Sequence, residues 1–312
     1  MLRQGGSPFK YSRIRDMLTV LVLLAMVTAP VWWTKRVDTE NPGGVQLVYG
    51  EYADWQEVRK AFPMYGKAVV VDFDTGLRFN VQRRGGTKHA DVQPLTAADT
   101  EVMKKIYGGG WSWNRRAVVL LLDDGRKIAG SMNGMPHGSG LIKGNNFPGH
   151  FCIHFRGSKL HSSGREDLMH RVMVCKAAGL LEAEMGRLSP EEVAEVFFAA
   201  LAQKDTGVFL RAAYFENAAM LPELLNKATE IKMLRAWVDP SMQDEKIKVT
   251  LDIDFKDGPS RHRKTGMVRM VPHSLLGWRV DYSSVDSLLK REAAGAIKQY
   301  DGGSVAVPQD DD

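Results

Sequence analysis

Residues Lys67–Val81 read KAVVVDFDTGLRFNV. Two runs rich in Val, Phe and Leu flank Asp74-Thr75-Gly76, and turn residues between two such runs are the signature of a β-hairpin. The pattern recurs further along, where Arg116–Leu122 and Arg126–Met132 flank Asp123-Asp124-Gly125, and Phe151–Phe155 (FCIHF) reads as another strand. Helical patterns lie around these strands. Asp54 caps a short helix carrying Trp55, Val58 and Phe62 on one face and ended by Pro63. Thr96, with Asp99 three residues on, starts a helix over Ala97–Tyr107 that Gly108–Gly110 stops. Ser163 and Glu166 predict a capping box for a helix over Glu166–Met185, and the Gly/Asn/Pro-rich stretch Asn133–Gly149 predicts a long loop. Together these define a β-rich mixed domain over residues 51–186.

Beyond Gly186 the pattern changes. Ser189-Pro190-Glu191-Glu192 is a helix start followed by the apolar stripe Val193, Val196, Phe197, Ala200 and Leu201, and a second helical stretch lies near Leu221–Lys227. Alternating runs follow at Lys232–Val238, Lys246–Phe255, Lys264–Val271 and Trp278–Ser283. Helices followed by a meander of antiparallel strands make residues 187–290 an α+β domain, and the whole chain α+β. The order resembles the cone-shaped nuclear-transport-factor-like (cystatin-like) domains that bacteria append to envelope proteins. That resemblance implies a structural or peptide-positioning module with an envelope protein as its partner. Residues 291–312 form an acidic, polar tail, expected to be disordered.

The net charge is +5 over 312 residues. Residues 1–36 hold Arg3, Lys10, Arg13, Arg15, Lys35 and Arg36 against the single acid Asp16, so the excess belongs to that end and the remainder is balanced. Nucleic acid is therefore not an expected partner. The uncharged segment Met17–Trp33, about 25 Å long as a helix, is flanked by bases and ends in Trp32-Trp33. It predicts a single-pass transmembrane helix with the N-terminus inside, a polar tether over residues 37–50 and an extracytoplasmic body at the cell membrane. A signal peptide cleaved after Thr28-Ala29 is the competing reading, and it exports the same body.

Six of the eight histidines lie between His89 and His170, with Cys152 among them. On a strand, His150, Cys152 and His154 share one face while Phe151, Ile153 and Phe155 share the other. A thiol beside imidazoles is poised for nucleophilic chemistry, since an imidazolium lowers a thiol's pKa. The same donors suit a second chemistry: zinc held by His150, Cys152 and His154, with His137 or His161 as fourth ligand. A third reading is a non-catalytic envelope-binding domain in which Cys152 is buried and inert. Cys175, in phase with Leu168 and Val172, reads as core, and a Cys152–Cys175 disulfide requires proximity. His89-Ala90-Asp91 reads as a metal or hydrogen-bond pair, more often structural in a loop, and His161 and His170 as surface and helix-face residues. Arg115-Arg116 are candidates to grip a carboxylate.

His137-Gly138 on the loop, followed by Gly149-His150-Phe151-Cys152-Ile153-His154, resembles the signature of the L,D-transpeptidases of bacterial cell walls, with their YkuD-type catalytic domain. The likeness spans roughly residues 66–180. Gly149 stands where that family has Ser/Thr, Phe151 where it has Gly, and His154 where it has Arg or Asn. The resemblance implies acyl transfer on peptidoglycan stem peptides without a cofactor. Cys152 is then the nucleophile, His137 the base, and backbone N–H groups around His150–Cys152 the oxyanion donors. Gly138, Gly149, Phe151 and His154 are the positions that place the substrate.

Overall fold

The Lys67–Val81 hairpin opens a closed barrel of six antiparallel strands in the computed structural model, which describes residues 49–217, 220–256, 262–274 and 276–290. The strands are β1 (Lys67–Asp72), β2 (Arg78–Gly85), β3 (Ala90–Pro94), β4 (Arg116–Leu122), β5 (Lys127–Met132) and β6 (Phe151–His154), in the order β1-β2-β3-β6-β5-β4, with β4 pairing back onto β1. Closure leaves no unpaired edge, and alternate side chains fill the interior. Val70, Phe79, Val81, Val92, Leu120, Ile128, Phe151 and Ile153 belong to this inner core. Helix α1 (Trp55–Ala61), capped by Asp54, adds Trp55 and Val58 to it, and Trp55 stacks on Phe155. Helix α2 (Ala97–Ile106) carries the expected Thr96–Asp99 capping box. Asp99 also accepts from the Asn80 backbone and amide, which ties the helix to β2.

Strand β4 is apolar on both faces because both are covered. Val118, Leu120 and Leu122 point into the barrel, while Ala117 and Val119, with Ala129 of β5, join a second core under helix α3 (Leu168–Ala177). The single helix expected over Glu166–Met185 is two. Asp167 rather than Ser163 caps α3 by accepting from the His170 N–H, and the Ser163 hydroxyl accepts instead from the Arg165 N–H. The chain breaks at Ala178–Leu180 before α4 (Leu181–Met185). A carboxylate one residue ahead of the apolar run makes the stronger cap.

The second core continues into a five-stranded sheet. Helix α5 (Pro190–Gln203) starts with the Ser189–Glu192 capping box and buries Val196, Phe197 and Leu201. It is followed by α6 (Thr206–Ala212), the short β7 (Ala213–Tyr214) and α7 (Met220–Glu230). The meander β8 (Ile231–Gln243), β9 (Lys246–Phe255), β10 (His262–His273) and β11 (Gly277–Asp281) is antiparallel throughout, and β7 adds in parallel to β11. Ile247, Val249, Leu251, Ile253, Val268 and Met270 face the same core as Phe197. The last expected strand, Trp278–Ser283, stops at Asp281, whose carboxylate caps a final helix α8 (Tyr282–Leu289). The membrane segment, the polar tether up to residue 48 and the acidic tail lie outside the described residues. Among the described residues no helix is long and apolar enough to cross a membrane.

A polar junction links the first hairpin to its surroundings. Asp72, fully buried, accepts from Arg116 Nε (2.6 Å) and Nη2 (2.8 Å) and from Thr75 N and Oγ1. Burial lowers the Arg116 pKa, but the Asp72 hydrogen bonds and charge more than offset this and hold it above its ordinary value. Lys176 of α3 bridges Asp74 in the hairpin turn and Asp205 at the cap of α6. Asp72→Asn removes the buried anion and leaves the partly buried guanidinium only the more distant Asp74, 3.6 Å from Nη2. The expected loss is about 2–3 kcal/mol in urea unfolding, below the range for a fully buried pair because Arg116 keeps some solvent. A loss under about 0.5 kcal/mol would show the pair to be dispensable.

Candidate active site

Strand β6 has the pleat expected of it. Phe151 and Ile153 point into the barrel, which leaves Cys152 and His154 on the outside. Cys152 is fully buried, with its sulfur within reach of His137 and Asp91. Its neighbours are polar, brought in by the loop before β6 and by β3.

The loop closes on the strand through a two-way backbone bridge. His137 N–H donates to the His150 carbonyl (3.0 Å), and His150 N–H donates to the His137 carbonyl (2.9 Å). This sets the His137 ring over the sulfur, with Nε2 3.2 Å from Cys152 Sγ. Nδ1 lies 2.9 Å from the Met135 carbonyl, which can only accept, so Nδ1 carries the proton and the Nε2 lone pair faces the thiol. His150 is held in the same way, its Nδ1 3.1 Å from the Ser139 carbonyl, and its ring meets His137 edge-on at 4.5 Å. Trp113 covers His137 at 5.2 Å.

Two glycines make the bridge possible. At Gly138 (φ 56°) a Cβ would lie 2.4 Å from the His150 ring, and at Gly149 (φ 132°) 2.4 Å from the His137 carbonyl oxygen. The loop itself is tied down. Gln93 Oε1 accepts from Leu141 N and Ile142 N, Asn145 Nδ2 donates to the Pro94 carbonyl, and Thr100 donates to the Asn145 carbonyl. An open cleft of about 680 Å³ lies against it, lined by residues that include Gly138, Gly140, Lys143, Asn146 and Gly149. That is within the size range of small-molecule and peptide sites.

On the other flank of the sulfur stands Asp91, directly opposite Cys152 in the β3–β6 register. Its Oδ1 is 3.9 Å from Sγ, 3.3 Å from His89 Nε2 and 3.7 Å from His161 Nε2. Burial raises the Asp91 pKa, but the contact with His89 and the charges of His89, His150 and His161 outweigh it, and the carboxyl sits below its ordinary value. Burial lowers the His137 pKa, with the Met135 carbonyl opposing and His150 reinforcing, so the ring is neutral near pH 7.

His154 does not reach this site. It is buried beneath α3, stacked between His89 (4.3 Å) and His170 (3.8 Å), and neither ring nitrogen has a hydrogen-bond partner among the described residues. The zinc set His150, Cys152, His154 and His161 is therefore corrected. Same-face neighbours on a strand are about 6.5 Å apart, so three in a row cannot converge on one ion. The structure gathers other candidate metal-binding groups, His137–His150–Cys152 and His89–Asp91–Cys152, each with donor atoms within 4.8 Å of one another. His161 belongs instead to the Asp91 flank.

Phe151 points away from the sulfur. Arg115 and Arg116 are engaged by Asp167 and Asp72 and do not form a carboxylate grip. Cys175 is buried against the Tyr52 hydroxyl, and the two cysteines are not joined in a disulfide. His89 and Asp91, read from the sequence as a metal or hydrogen-bond pair with a structural role favoured, meet Cys152 because the strand pairing aims Asp91 at it. Against known proteins, the chain matches no family model and no curated sequence.

Desolvation, followed by the charges of neighbouring groups, holds the His154 and His170 pKa values well below the ordinary imidazole value of 6.5. The folded protein therefore refuses protons that the unfolded chain accepts. Stability is complete above that value and falls as pH drops through it, by about 1.4 kcal/mol per pH unit for each ring. Urea midpoints should decline between about pH 7.5 and 5, and His170→Phe should flatten that decline. Equal slopes for the two proteins would mean that His170 is not held neutral.

Proposed function

We propose that the chain is a cell-wall acyltransferase of the L,D-transpeptidase type that works through a Cys152 thioester on peptidoglycan stem peptides. One observation carries the proposal: a neutral imidazole, locked by Met135 through Nδ1, presents Nε2 to a buried thiol at 3.2 Å. This is a nucleophile and a base, with the base oriented by a third group. The order of His137-Gly138 and His150–Cys152 along the chain supports the choice of family. A membrane anchor over Met17–Trp33 would hold this body at the outer face of the membrane, beside that substrate. The domain from residue 187 onward would position a peptide or an envelope partner.

In the reaction the Cys152 proton passes to His137 Nε2 as Sγ attacks the carbonyl preceding the terminal D-alanine. The carbon–nitrogen bond breaks, and His137 returns the proton to the leaving amine. The His150 N–H is committed to the His137 carbonyl, so the oxyanion would have to be held by other N–H groups beside Cys152.

Burial of Cys152 is what the inert-thiol reading expects, but its polar company is not. A zinc-dependent hydrolase is the second reading, favoured by the convergence of His137, His150 and Cys152 donor atoms and by the backbone carbonyls that orient both rings, a common second shell for metal-bound histidine.

Incubation with a carbapenem followed by intact-protein mass spectrometry separates the three. Acyl transfer expects one covalent adduct, lost in Cys152→Ser and slowed about a thousandfold in His137→Ala. Zinc hydrolysis expects no adduct, and iodoacetamide labelling of Cys152 only after chelation. An inert thiol stays unlabelled under both conditions.

A further inference from the structure

The sulfur has two flanks, and the acyl-transfer reading uses only the one occupied by His137. We infer that Asp91, on the opposite flank, receives the positively charged amine that captures the acyl group, and so selects a primary ammonium as the acceptor. The inference rests on the proposed thioester chemistry and assigns a residue which that chemistry does not itself require.

Three features point to it. First, strand pairing sets Asp91 directly across from Cys152, with Oδ1 3.9 Å from Sγ, within reach of any group attacking a thioester there. Second, among the described residues Asp91 forms no ion pair with lysine or arginine. Its charged contacts are the rings of His89 and His161. An ammonium arriving from the open side would join the His161 ring at this carboxylate. Third, the Asp91 side chain is 17% exposed and the neighbouring His161 side chain 38%, so this flank opens to solvent while Cys152 does not. His89 Nδ1 is tied to the Lys159 carbonyl, which leaves its Nε2 toward the carboxylate.

The chemistry balances as follows. An alkylammonium docks on Asp91 and loses one proton to solvent by way of the Asp91–His161 edge. The free amine attacks the thioester carbonyl, the carbon–sulfur bond breaks, and an amide forms. The second proton passes from nitrogen through His137 to Sγ, which restores the thiol. A neutral amine follows the same course but draws nothing from Asp91.

The test loads Cys152 from a small activated thioester and lets two nucleophiles compete at neutral pH. One is Nα-acetyl-lysinamide, which is charged, and the other is hydroxylamine, which is not. Asp91→Asn should lower the ratio of lysinamide to hydroxylamine capture by about tenfold or more, and Asp91→Glu should restore part of it. A general disturbance of the site lowers both captures and leaves the ratio alone. An acyl adduct with a ratio unchanged in Asp91→Asn overturns this inference and spares the acyltransferase. Absence of any acyl adduct on the unaltered chain overturns both.

Discussion

The reciprocal pair of backbone hydrogen bonds between His137 and His150 is the constraint on which the candidate site depends. The bridge lengthens β6 by one step and turns a glycine-rich loop back over its own strand. Both imidazoles are then locked through Nδ1 onto backbone carbonyls, so neither ring needs a side-chain partner to hold its tautomer. An orienting carbonyl adds no charge beside the base, and the ring stays neutral and able to take a proton. The close approach of the two strands leaves no room for a Cβ at Gly138 or Gly149, which accounts for the residues found there without any appeal to substrate.

That bridge stands on a rigid support. A closed barrel gives β6 partners on both sides, β3 and β5, and the filled interior prevents Phe151 and Ile153 from rotating outward. Register then does chemical work: the pairing that aligns Val92 with Phe151 also sets Asp91 against Cys152. Outside the barrel, α3 covers the histidine stack and the outer faces of β4 and β5, and it passes continuously into the core of the second sheet. The Lys176 bridge between Asp74 and Asp205 ties the first hairpin to α6 in the same region. The site is therefore fastened to both cores.

Much of this was legible in local sequence, where local physics decides. Both hairpins, the Thr96 and Ser189 capping boxes, the long loop and the β9 strand appear where their residues placed them, because turn chemistry and capping act over only a few positions. The errors came where two local signals competed or a contact from afar intervened. Ser163 and Asp167 both suit a helix cap, and the one nearer the apolar run won. Tyr282 follows a strand pattern, yet Asp281 turns the chain into a helix whose Val285, Leu288 and Leu289 fill the second core.

By itself the sequence determined the alternation of β6, and hence that Cys152 lies on the opposite face from Phe151 and Ile153. It also determined that His137 belongs to a loop long enough to return to that strand. Which histidine meets the sulfur was a tertiary decision. The resemblance pointed to His137, while the strand alternation by itself offered His150 and His154; the strand rise separates His154 from Cys152, and α3 seals it into a stack. Asp91, more than sixty residues upstream, comes within 4 Å of the sulfur only through strand pairing. Spacing rules act along the chain, whereas a catalytic constellation depends on distances across it, and those exist only once the barrel has closed.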